Sequence, residues 1–267
     1  MRPTPWSLVL VLVAALPGAA FAQASLTAEQ QLAFLTTAKV VNTRPIGKGT
    51  TGALRVTLSD GTLTHDAAFQ SVDETPGVDG KRRAGEFIFV DHYRYNLAAY
   101  RLAAHLGLGA MMPATVERTI ESRRGALAWW VDDVAMDEGE REARDLQPAN
   151  ALDFTHQRQR MQVFAELVRD TDRNKGNVVY TRDWRVVMLD FTRAFRLQAT
   201  LRLPGLLAMC DRRLLAALKA LTRDDVQRVV AGALNGGEVK ALMTRRDLIV
   251  EHYEKLIAAR GEAAVLY

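Results

Sequence analysis

VRDTDRNKGNVVYTRDWRVVMLDFTRAF occupies residues Val168 to Phe195, and the fold turns on how it is read. Seven acidic, basic or amide side chains crowd its first ten positions, and two short apolar runs, Val178-Val179-Tyr180 and Val186-Val187-Met188-Leu189, lead to a further aspartate, Asp190. The apolar runs predict a pair of short strands. Asp172 to Gly176 can serve as no more than a polar turn between a helix and a strand, a place that these residue types favour. The same spacing also sets out a chemistry. One carboxylate, Asp190, and the Asn177 amide oxygen are hard ligands for a divalent cation, and the other carboxylate, Asp172, left unligated, can orient an acceptor hydroxyl.

Upstream, the pattern is that of strands. Lys39-Val40-Val41 precedes a glycine-rich bend, and Ala53 to Leu58 alternates with period two as far as Asp60-Gly61, a strong hairpin turn. Thr62 to Gln70 then pairs back as a third strand, which makes an antiparallel meander. The bend itself, Gly47-Lys48-Gly49-Thr50-Thr51-Gly52, fits G-x-G-x-x-G. It lies between two strands, the setting of a flap over nucleotide phosphates, rather than in the strand-to-helix turn of a dinucleotide fold. Pro76 to Gly85 is a charged, glycine-rich loop, Tyr95 to Leu106 a helix, and Ala114 to Glu117 and Ala126 to Val131 are strands.

Downstream, an acidic and basic connector, Asp137 to Asp145, leads to a helix over His156 to Arg169. After the quoted stretch the chain is helical. Leu206 to Leu221 forms one helix, Asp224 to Leu234 a second with Thr222 and Asp225 as its cap, and a third follows Gly237 to Ala259, closed by Gly261. The element order is a strand meander, a helix, two strands, a helix, Asp-x₄-Asn, a strand pair and Asp-Phe. It predicts an α+β fold of two lobes, with an antiparallel sheet in the small lobe (23–132) and helices in the large lobe (133–267).

Bulk properties narrow the class. Arg2, the apolar run Leu8 to Leu16 and the small-residue ending Ala20-Phe21-Ala22 fit a secretory signal peptide over 1–22, so the mature chain is expected to be secreted or periplasmic. No segment supplies the roughly 20 apolar residues of a membrane span. The charge of +4 is scattered among acids without an aromatic-interleaved stripe, which argues against nucleic acid. The one cysteine, Cys210, excludes an internal disulfide and sits among leucines as a buried thiol. His65, His92, His105, His156 and His252 have no metal-motif spacing, and His65-Asp66 is the one pair to watch, more readily structural than catalytic. Trp129 and Trp130 divide between core and surface on the strand that leads to the hinge.

Arg169-Asp170-Thr171-Asp172-Arg173-Asn174-Lys175-Gly176-Asn177 resembles the catalytic loop of type II phosphatidylinositol 4-kinases, and Asp172-Arg173 with Asn177 resembles that of the wider atypical kinase-like superfamily, secretory-pathway kinases included. Leu189-Asp190-Phe191 is similar to its metal-binding segment, and Leu97 to Leu102 with Leu106-Gly107-Leu108-Gly109 and Pro113 resembles its small-lobe helix and turn. The resemblance implies Asp172 as the catalytic residue, Asn177 and Asp190 as ligands of Mg or Mn, and Gly47, Lys48, Gly49, Gly52 and Gln70 around ATP or another nucleotide. The acceptor is unknown. Two departures touch the phosphate site. Gln70 stands where the family has a lysine, and Asn96 stands where the helix has the glutamate that pairs with it. Two amides can bond in place of that ion pair, but a neutral glutamine does not neutralise phosphate. Lys48 can bring the charge from another direction. Thr192 replaces a glycine after Phe191. The sequence therefore supports a metal-dependent phosphotransferase, with a catalytically inert pseudokinase-like binding module as the alternative.

Overall fold

The computed structural model describes residues 26–47, 52–74 and 90–267. The signal peptide, Lys48 and Gly49, and the loop with Lys81, Arg82 and Arg83 lie outside them.

The chain enters through α1 (Ala28–Thr37), started by a reciprocal cap between Thr27 and Gln30. Phe34 and Leu35 go under the first sheet, and the Arg118 guanidinium donates to the carbonyls of Leu35 and Ala38 at 2.7 and 2.6 Å. Those two carbonyls are among the orphaned acceptors that any helix leaves at its C-terminus. β1 (Lys39–Pro45), β2 (Leu54–Ser59) and β3 (Thr64–Gln70) form the expected meander, and the Asp60 carboxylate accepts the amides of Thr62 and Leu63 to hold the turn. A two-residue pair, β4 (Asp73–Glu74) with β5 (Asp91–His92), precedes α2 (Tyr93–His105). β6 (Thr115–Ile120) and β7 (Arg123–Trp129) complete an antiparallel five-stranded sheet of order β1-β2-β3-β7-β6. The apolar face of α2, Ala98, Ala99, Leu102 and Ala103, is buried in the core that continues from this sheet into the second half.

Between Trp129 and Val134 the chain crosses into a second sheet, β10-β9-β8, made of β8 (Val134–Asp137), β9 (Val178–Thr181) and β10 (Val186–Met188). Around it lie α3 (Glu138–Ala143), α4 (Ala151–Val168), α5 (Arg212–Ala220), α6 (Arg223–Val230), α7 (Gly236–Arg260) and α8 (Glu262–Val265). No helix of the described residues is long and apolar enough to cross a membrane.

Several boundaries differ from the sequence expectation, each for a local reason. The connector over 137–145 contains α3, because Asp137 and Glu140 form a capping box. α4 starts at Ala151, five residues before His156, since the Asn150 side chain accepts the Asp153 amide. The helix expected from Leu206 begins only at Arg212, where Asp211 caps two amides, and α6 stops at Val230 ahead of Gly232, whose φ of +75° no helix accommodates. Cys210 is fully buried, and burial pushes its thiol up to about 12.

Candidate functional site

α4 delivers the chain to the site by ending in a left-handed residue, Arg169 at φ +46°, which turns Asp170 inward. Asp170 is buried, takes the Asp172 amide on Oδ1 and pairs through Oδ2 with Arg173. The Arg173 fork then donates to the carbonyls of Asn177 and Leu189, both at 2.6 Å, and of Asp190 at 2.9 Å, with its plane 4.2 Å over the Phe191 ring. One planar cation thus ties the loop carrying Asp172 and Asn177 to the turn carrying Asp190, a role that the five donors of arginine suit and a lysine does not. Asn177 donates its amide to the Asp172 carbonyl at 2.9 Å, and no donor among the described residues is paired with its Oδ1. The Asp172 carboxylate is about a third exposed, with Arg193 Nη1 at 3.3 Å and Asn174 Nδ2 at 3.2 Å.

Asp190 has φ +53°, a strained setting for a non-glycine residue, and bonds from several neighbours hold the turn. Its Oδ1 accepts both the amide and the hydroxyl of Thr192, at 3.1 and 2.8 Å, and the His92 amide donates to the Thr192 carbonyl at 2.8 Å. Gln70 Nε2 donates to its Oδ2 at 3.0 Å. The Thr192 hydroxyl, at the position where the resemblance implied a glycine, therefore adds one bond to the acid beyond the one its backbone amide makes.

The two departures are in contact. Asn96 Nδ2 donates to Gln70 Oε1 at 2.5 Å, and Asn96 Oδ1 accepts the Phe191 amide at 2.6 Å. The chain of bonds from β3 through α2 to Asp190 and Phe191 is continuous and made by neutral amide side chains where the sequence resemblance implied an ion pair. Beside it lies Asp91, 4 % exposed, whose carboxyl burial pushes upward against a Thr192 hydrogen bond, with the Asp190 charge adding to the push. Nothing in its sequence neighbourhood marked it.

A cavity of about 430 Å³ opens against this machinery. Gln70, Asn96, Asn177 and Asp190 line it, with Ile46, Ala53, Trp129, Trp130, Val131 and Met188 among the other lining residues. Ile46 and Ala53 flank the glycine-rich bend and are bonded to each other, Ile46 N to Ala53 O at 2.9 Å, so the strands bearing the bend form part of the wall. Gly47 and Gly52 sit at the two ends of that bend, Gly52 with φ +64°, and neither lines the cavity. Asp190 is the one ionisable side chain among the described lining residues. Gly125 on β7 lets the wall close up, since a Cβ there would meet the Gln70 carbonyl at 2.4 Å and the Phe69 ring at 2.6 Å. Both tryptophans line the cavity. Trp129 also packs on Phe34, and Arg55 lies 4.0 Å over Trp130. His65 is structural: its ring stacks on Trp129 at 3.6 Å, and its nitrogens are taken by the Asp66 carbonyl and the Asp132 carboxylate.

Among the described residues no group of three or more His, Cys, Asp or Glu side chains could cage a metal. The donor set of Asp190 and the Asn177 amide oxygen fits a hard cation of the Mg type. Such an ion keeps waters and takes one or two protein oxygens, with phosphate completing its shell.

No family model matches the chain, and no curated protein matches it either. Solved structures do. A hydra Fam20 structure with sugar superposes with a TM-score of 0.66 at 14 % identity, covering 90 % of this chain and 91 % of that one. A Golgi casein kinase with Mn and ADP bound gives a TM-score of 0.63 at 12 % identity, covering 90 % and 78 %. At these identities the likeness is one of fold, and it establishes the two-lobed kinase-like architecture that the sequence predicted, a sheet-rich first part followed by a helical second part.

Proposed function

We propose that this chain is a metal-dependent phosphotransferase that binds a nucleotide in the 430 Å³ cavity and transfers phosphate to an acceptor at Asp172. The observation that carries the reading is that Asn177, Asp190 and Gln70 all line that cavity, with Gln70 bonded to Asp190 and with Asp172, on the Asn177 loop, outside the lining. Asn177 and Asp190 would hold Mg or Mn, which supplies charge to neutralise the phosphates. Asp172, held by Arg193 and Asn174 and left about a third exposed, would orient the acceptor hydroxyl and take its proton. Gln70 hydrogen-bonds rather than neutralises, so the cavity wall relies on the metal, with Lys48 as the protein's candidate cation. The Mn and ADP of the Golgi casein kinase structure make that pair the first ligand to try. Residues 1–22 support export, which fractionation of the producing cells tests.

The test is thermal stability of the purified chain with ATP or ADP, with and without Mg²⁺ or Mn²⁺. Ligand at about 100 times its Kd adds roughly 2.7 kcal/mol. The shift should require metal and nucleotide together, vanish in Asp190→Ala, and survive in Asp172→Ala while transfer stops. A metal-dependent shift that persists in Asp190→Ala removes the metal role of that residue.

A second reading, an inert nucleotide- or partner-binding module, is favoured by the bond from Gln70 Nε2 to Asp190 Oδ2, because the acid is already engaged by a residue without charge. The double change Gln70→Lys with Asn96→Glu separates the two. A gain in nucleotide affinity marks Gln70 as a loss, and a fall in transfer activity marks it as part of a working site.

A further inference from the structure

The largest fully buried side chain in the described residues is a cation, Arg245, in the middle of α7. Its Nε donates to the carbonyl of Leu167 at 2.8 Å, and its Nη1 donates to those of Arg196 and Gln198, both at 2.8 Å. Nη2 has no hydrogen-bond partner among the described residues. Burial and the nearby Arg169 pull its pKa down to about 10, against a smaller pull upward from Glu166, so it remains charged at neutral pH.

Such a group is not there for stability. Buried charges cost several kcal/mol of desolvation, and well-packed apolar replacements are often neutral or stabilising. What the guanidinium contributes is reach in a fixed geometry. Leu167 lies in the last turn of α4, just ahead of the loop with Asp172, and Arg196 and Gln198 lie on the segment that leaves Asp190. The two segments meet elsewhere as well. The Phe195 amide donates to Val168 O at 2.6 Å, and the Thr171 hydroxyl donates to Arg193 O at 2.9 Å. Glu166 accepts the amides of Arg202 and Leu203 at 2.5 and 2.9 Å. Arg173 ties the same two segments from the side of the site, and Arg245 ties them from behind.

We infer that Arg245 is a positioning residue, which sets the distance between the Asp172 loop and the Asp190 turn by gripping carbonyls of both segments. Its consequence for ligand binding rests on the phosphotransfer reading; its structural action does not. The experiment uses the full chain with Arg245→Met, which keeps bulk and loses the donors, and Arg245→Lys, which keeps charge and cannot span both segments. Hydrogen exchange at the amides of Phe195, Arg202 and Leu203 should quicken by about tenfold or more in both variants, while the β2 and β3 amides stay as in wild type. Adding Mg²⁺ should improve ATP affinity in wild type by a factor that falls about tenfold in the variants, with binding of ATP alone little changed. A structural role would lower both affinities together. Unchanged exchange at the three amides in either folded variant overturns the inference, as does an increase spread equally over the small-lobe strands. If wild type binds no nucleotide, the phosphotransfer reading fails and the exchange result still decides the role of Arg245.

Discussion

Replacing Asn96 by alanine should loosen the junction between the lobes by an amount the bonds allow to be worked out. Asn96 is 8 % exposed and joins two groups, the amide of Phe191, itself buried, and the Gln70 side chain. Alanine leaves the Phe191 N–H without its acceptor, at a cost of about 1–3 kcal/mol for an unsatisfied buried donor, and removes a side-chain hydrogen bond of about 0.5–1.5 kcal/mol net. Better helix propensity returns up to about 0.7 kcal/mol. The loss should therefore centre on about 2–3 kcal/mol, and at roughly 2–4 °C per kcal/mol for a domain of this size the midpoint falls by about 4–12 °C. Differential scanning calorimetry of wild type and variant without ligand measures it. A midpoint within about 2 °C of wild type would refute the reasoning, because the bonds would then be contributing little beyond what water supplies. Exchange of the Phe191 amide tells whether the loss arises there.

Gly125→Ala forces a methyl into the Gln70 carbonyl, a backbone atom that cannot step aside without moving β3, so a loss of about 1–3 kcal/mol in urea unfolding is expected. A fully stable variant would mean that the strands separate freely there. For acid stability, burial raises the Glu138 carboxyl, but hydrogen bonds from Arg141, Tyr180 and Arg158 outweigh it and hold the group at about 2. A depressed carboxylate contributes stability above its unfolded value of 4.5 and loses it as pH falls toward about 2. Urea midpoints across that window should decline more steeply in wild type than in Glu138→Gln; equal slopes would assign the acid sensitivity to other groups.

Much of the fold was legible because its signals are local. The Asp60-Gly61 turn, the alternation of β2 and β3 and the cap at Thr222 each declare themselves within a few residues. Of the candidate site, the meeting of Gln70 with Asn96 followed from two departures that fall in partnered positions, and Asp172 and Asn177 were singled out by their spacing alone. What the sequence did not disclose depends on distance in space. Asp91 and Arg245 acquire their meaning only from what packs round them, and the pairing of Arg193 with Asp172 crosses a turn whose path no propensity records. The helix boundaries at Ala151 and Arg212 were misjudged because apolar periodicity was weighed above the caps at Asn150 and Asp211.

The amide bridge has a kinetic side. Gln70 belongs to the first sheet and Asp190 follows the last strand of the second, so swinging the lobes apart must first rupture the bond from Gln70 Nε2 to Asp190 Oδ2. If entry to the cavity needs that separation, a ligand waits for an internal event. In stopped-flow mixing, the observed rate of ligand association should level off as concentration rises, at the frequency with which that latch lets go, and the plateau should climb in Gln70→Leu, where the latch is absent.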